Sequence, residues 1–151
     1  HAIGKGVLLA EIQQSSDCTY RIFDWNRVDA QGNARELHTT DAEEAIHFGE
    51  ETEYHRYYVP AMNKTIPVVK SKQFNTNILH FNQPLEKVYA GIDSFVIYVC
   101  VEGMACFVED GQEYLLKKGE VMLVPALTTE VQLVPLPECK LMETFIGASE
   151  K

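Results

Sequence analysis

Residues 95–133 run FVIYVCVEGMACFVEDGQEYLLKKGEVMLVPALTTEVQL. Apolar and β-branched residues come in short runs, and each run stops at a glycine pair: Glu102-Gly103, Asp110-Gly111 and Lys118-Gly119. An Asp-Gly pair supplies the positive φ angles that a two-residue hairpin demands, so Phe107-Val108 should pair with Tyr114-Leu115 across Asp110-Gly111. The stretch predicts strands at Ser94–Val101, Met104–Glu109, Gln112–Leu116, Val121–Val124 and Glu130–Val134. Gln73–Phe81 before it and Cys139–Ile146 after it have the same character, and Pro125, Pro135 and Pro137 are expected to close turns. Many short strands at close spacing predict an all-β sandwich or barrel.

Upstream the rhythm changes. Val7 to Gln13 alternates in polarity and Thr19 to Trp25 is aromatic and β-branched, so both are expected as strands, followed by a turn at Asp29–Asn33. One helix is expected over Thr39–Ile46, where a hydroxyl or carboxylate cap precedes acids in the first turn, the end favoured by the helix dipole. Residues 49–72 are irregular, with Pro60 and Pro67, and are taken as a connector with a single strand at Arg56–Val59. The domain reading is 1–48, an irregular connector at 49–72, and a C-terminal barrel at 73–151.

The chain of 151 residues carries a formal net charge of -9, which excludes a phosphate-backbone partner and disfavours an anionic membrane surface. No apolar run approaches the ~18 residues that span a bilayer. The charge is uneven. Residues 1–35 balance Lys5, Arg21, Arg27 and Arg35 against Glu11, Asp17, Asp24 and Asp29, so a small anion is least repelled there. Cys18, Cys100, Cys106 and Cys139 form no CxxC pair, which points to reduced thiols and a cytoplasmic setting, with a Cys100–Cys106 bridge across Glu102-Gly103 geometrically open. His38, His47, His55 and His80 show no HxH or HExxH spacing and are taken as structural or exposed.

Lys117-Lys118-Gly119-Glu120 followed by Val124-Pro125-Ala126 resembles the second half of a cupin, a small jelly-roll barrel. Metal-binding cupins carry histidines and a glutamate before the glycine turn and another histidine after the proline. Ser94–Val101 has no histidine, and Thr128-Thr129-Glu130 follows Pro125, so the C-terminal barrel is expected to be metal-free and structural. The lesser reading is a sugar-binding or regulatory pocket inside it.

The segment HAIGKGVLLAEIQQSSDCTYRIFDWNR, with Arg35-Glu36-Leu37-His38 further on, resembles the mannose-6-phosphate isomerases in their shorter bacterial form. The matching features are His1-Ala2, the glycine step, Glu11, Gln13-Gln14, Ser16-Asp17, Tyr20-Arg21 and Asp24. The resemblance implies a catalytic cupin holding one zinc ion, with His1 as the last metal ligand and the others upstream. The chain is thus expected to be the downstream part of a longer enzyme, inactive alone and partnered by the upstream half. Arg21 corresponds to the active-site arginine, and Glu11 and Asp17 to acidic residues lining the same cleft. Lys5 and Arg27 are candidates to grip the phosphate of a sugar phosphate. Moving a proton between C1 and C2 of an aldose needs a base near carbon and a charge to steady the developing oxyanion, and carboxylates with a guanidinium suit those tasks. The alternative is a non-catalytic cupin module that binds a sugar phosphate. The oligomeric state is left open by the sequence.

Overall fold

The structure is a computed structural model and describes residues 3–15, 18–49 and 55–147. The chain divides into two compact units, His1–Tyr54 and His55–Lys151. No helix among the described residues is long and apolar enough to cross a membrane.

The second unit is all β. Its strands are β1 (Lys64–Lys70), β2 (Asn75–Phe81), β3 (Leu85–Val88), β4 (Val96–Glu109), β5 (Gln112–Lys117), β6 (Val121–Val124) and β7 (Glu130–Phe145). They pair antiparallel in the order β1-β2-β7-β4-β5, with β3 added to β7 and β6 to β4. The long strands β4 and β7 each serve several neighbours, which closes the sheet around one core. Leu79, Phe81, Val96, Tyr98, Cys100, Ala105, Phe107, Leu116, Leu133 and Leu141 fill that core. Each large side chain so buried contributes roughly 1.5–3 kcal/mol relative to exposure.

Asp110 and Gly111 take φ of 47° and 76°, and Glu109 pairs with Gln112, so the two-residue hairpin forms as expected. Glu102-Gly103 differs. The expected turn is a bulge inside β4, with register shifts between Cys100 and Glu102 and between Gly103 and Ala105. The bulge changes the inward parity of β4 from Val96, Tyr98 and Cys100 to Ala105 and Phe107, so one face stays in the core along the whole strand. Gly103 has φ +69°, and a Cβ there would overlap the carbonyl oxygen of Glu138. Cys100 and Cys106 therefore lie on one strand and do not bridge. Cys100 faces Cys139 instead, Sγ to Sγ 3.7 Å, and both thiols are free and buried.

Pro135 and Pro137 likewise lie within β7 rather than closing turns. The segment taken as a connector contributes β1, an edge strand whose register shifts between Pro67 and Val69, a place where proline costs no ladder bond. Arg56–Val59, expected as a strand, forms none, and β3 was not expected at all.

The first unit is mostly irregular. Helix α1 (Thr39–Ala45) forms where the acidic first turn predicts it. The Asp29–Asn33 turn forms as well: Asp29 Oδ1 accepts from the Gln31 and Asn33 amides, both at 2.9 Å, and Val28 bridges Ala34. Val7–Gln13 and Thr19–Trp25 are not strands among the described residues. Alternation prepares a face, but a strand also needs a continuous ladder of partners for its N–H and C=O groups. Among the described residues neither segment has one, and Arg21 bonds His38 without starting a ladder. Val7, Leu8 and Leu9 consequently stay exposed, Leu8 by 87%.

Candidate functional site

Among the described residues of the first unit, Ile12, Arg21, Asp24, His38 and Ala42 alone are not exposed. Three of these five are polar and form the heart of the candidate site. The Arg21 amide donates to His38 Nδ1 at 3.1 Å, and the His38 amide donates back to the Arg21 carbonyl at 2.7 Å. The Arg21 guanidinium donates from Nη1 to the Glu36 carbonyl at 3.1 Å. His38 is the N-cap residue of α1, yet its side chain makes no capping bond. Its Nδ1 is given to Arg21 instead.

Asp24 is the second centre. It is buried, and its carboxylate takes a two-pronged bond from Arg35 together with Arg27 Nη2 at 3.0 Å. The Arg35 guanidinium, foremost, with the Arg27 and Arg21 charges, holds this carboxyl below its usual value against the opposing cost of burial. The same pair pushes Arg35 above its ordinary value. Asp24 thereby anchors two cations with one carboxylate and leaves an excess of positive charge around it. The Arg27 side chain remains 65% exposed, so a ligand still reaches it.

The expected site residues are distributed as follows. Arg21 and Arg27 belong to this patch. Lys5 is exposed in a turn next to Gly6, and Glu11 is exposed and outside any strand. His1 and Asp17 lie outside the described residues. Among the described residues no three His, Cys, Asp or Glu side chains converge to hold a metal ion, so this portion alone does not fit a zinc centre. The roles of Asp24 and His38 escaped the sequence reading. Both stood among the matched residues, but their partners are 11 and 17 positions away and become visible only in three dimensions.

The barrel holds a second polar constellation. Glu143, fully buried, accepts from Lys87 Nζ at 2.8 Å, Tyr98 Oη at 2.5 Å and Asn77 Nδ2 at 2.7 Å. Tyr98 also meets Tyr89 Oη at 2.9 Å, and Lys87 meets Thr65 Oγ1 at 3.1 Å. Both carboxylate oxygens of Glu143 thus meet protein donors, as a structural network requires. A recess of about 410 Å³ on the barrel is lined by Cys106, Val108, Glu113, Leu115, Val134 and Leu136. That apolar lining with a lone carboxylate does not suit an anionic sugar. The arginine patch of the first unit does.

Residues 64–145 match the family described as mannose-6-phosphate isomerase, cupin domain. The chain belongs to this family. Its all-β cupin fold, with one helix among the described residues, agrees with the membership. Mannose-6-phosphate isomerase ManA of Bacillus subtilis is 31% identical over 139 residues, covering 92% of this chain and 44% of the relative. The mannose-6-phosphate isomerase of Streptococcus mutans is 29% identical over 125 residues, covering 83% and 39%. The crystal structure of the Bacillus subtilis isomerase superposes with a TM-score of 0.68 at 28% identity, covering 87% of this chain and 41% of that one. The chain therefore spans about two-fifths of the length of the isomerases it matches.

Proposed function

We propose that the chain is the downstream part of a mannose-6-phosphate isomerase and supplies Arg21, with Glu11 and Asp17, to the interconversion of mannose 6-phosphate and fructose 6-phosphate. One observation carries this reading. The 139 residues aligned with the Bacillus subtilis isomerase exceed the His55–Lys151 unit, so the likeness reaches the arginine patch as well as the barrel.

The chemistry follows from the residue types. A carboxylate, Glu11 or Asp17, takes the proton from C2 of the open-chain aldose and returns it to C1, while the hydroxyl proton passes from O2 to O1. Negative charge passes through the enediol oxygens meanwhile, and the Arg21 guanidinium steadies it. Arg27 and Lys5 meet the phosphate, in the stretch where acids and bases balance. Asp24 keeps Arg27 and Arg35 in place.

The uncovered apolar side chains of the first unit support a partner in the remainder of the same enzyme. Leu8, Tyr20, Ile22, Phe23 and Trp25 are all exposed, as a surface awaiting more barrel would be. Zinc enters this reading through the family alone, with His1 its candidate ligand and the others beyond the described residues. Free thiols accord with a cytoplasmic location.

The test is a coupled assay on the full-length polypeptide that carries this chain, with mannose 6-phosphate, with and without a chelator. Turnover lost to chelator and restored by zinc supports the reading. Binding of the sugar phosphate without turnover would replace it with a non-catalytic module.

A further inference from the structure

We propose that His38 is a positioning residue for Arg21, holding it through the lone pair of a neutral imidazole. The inference rests on the reading of Arg21 as the residue that steadies the enediol oxygens of the substrate.

A backbone N–H only donates, so the 3.1 Å bond from the Arg21 amide requires an acceptor at His38 Nδ1. The ring proton must then be on Nε2. The His38 amide returns a bond to the Arg21 carbonyl at 2.7 Å, so the two residues hold each other at both ends of Arg21's backbone. The guanidinium is tied in turn to the carbonyl of Glu36, two residues before His38. One short stretch, Glu36 to His38, thus fixes both the backbone and the charged tip of Arg21.

The choice of residue at this place supports the same conclusion. An N-cap position favours an oxygen-bearing side chain that accepts from the first turn, and histidine there leaves the cap unmade. The helix forgoes that bond while the ring serves a residue 17 positions away. His38 and Arg21 are also half-buried in a unit whose described residues are nearly all exposed, so the bond is partly shielded from water.

The test separates positioning from helix capping. His38→Asn sets an amide Oδ1 where Nδ1 stands. His38→Gln moves the amide outward toward the place of Nε2. His38→Ser supplies a good N-cap that does not reach the Arg21 amide. In the full-length enzyme His38→Asn retains most of the turnover, whereas His38→Gln and His38→Ser lose about tenfold or more in kcat with a smaller change in KM for mannose 6-phosphate. Hydrogen exchange at the Arg21 amide is slow in the parent and in His38→Asn and fast in the other two. Recovery of kcat by His38→Ser, or full kcat in His38→Gln, overturns the proposal. Arg21→Ala is measured alongside. If it keeps parental turnover, the reading of Arg21 itself fails, whatever the His38 variants do.

Discussion

Glu143 on β7 and Lys87 on β3 form an ion pair inside the barrel, Oε1 to Nζ 2.8 Å, with only 2% of the glutamate side chain exposed. A buried charge is tolerated because its partner is there, so removing one member is far worse than removing both. Lys87→Met should destabilise the barrel by about 3–5 kcal/mol, and adding Glu143→Leu should restore much of that loss. Urea melts of the two variants check this. Equal stability of the single and double variants contradicts it.

Burial, and then the negative charge of Glu143, push the Tyr98 phenol far above its ordinary value. Tyr89 is raised as well, chiefly by burial. A phenol raised in the folded state binds its proton more tightly than in the unfolded chain. Stability from these two groups is therefore complete below the unfolded value near pH 10.0 and declines as pH rises above it. Ultraviolet titration should show Tyr89 and Tyr98 ionising together, and only as the barrel unfolds.

Asp24 moves in the opposite direction. Its carboxyl is held low, mainly by the hydrogen bond from Arg35. Its contribution is present above the unfolded value of 3.8 and lost as pH falls through the lower folded value. Trp25, the single tryptophan, is the neighbouring residue and stacks edge-on against Phe23 at 5.0 Å. Its fluorescence should report an acid transition below pH 3.8 in the parent. In Asp24→Asn the altered emission should be present already at neutral pH, with the acid transition gone.

Gly103 is fixed by contact as well as by conformation. A β-carbon at this position, φ +69°, meets the Glu138 backbone, which has no flexible end to swing away. Gly103→Ala should cost about 1–3 kcal/mol, whereas Gly111→Ala, with open space around it, should cost only its backbone strain. Thermal melts of the two variants should differ by several degrees.

The barrel was legible where local chemistry has one outcome. Asp110-Gly111 reads as a hairpin because both residues must take positive φ, and Val121–Val124 is bounded by a glycine turn and a proline. It was illegible where one residue type serves two purposes. A glycine with positive φ ends a strand at Gly111 but bulges one at Gly103, and the pattern around each looks alike. Pro67 concealed β1 because its edge position, which makes proline harmless, is a property of the sheet. In the first unit the alternation of Val7–Gln13 was real, but a strand is a relation between two segments and only one is described. The site followed the same rule. Arg21 was recognisable by type and context, while His38 and Asp24 matter through partners that chain order keeps apart.

The central claim is that Arg21 serves an aldose–ketose isomerisation, and one measurement addresses it directly. The rate of fructose 6-phosphate formation from mannose 6-phosphate is compared for the full-length polypeptide and its Arg21→Lys variant, after both are shown to melt alike. Lysine keeps the charge but loses the planar fork. The account predicts turnover in the parent and a loss of about a hundredfold in the variant. Equal turnover in the two proteins, or none in the parent supplied with zinc, would contradict it.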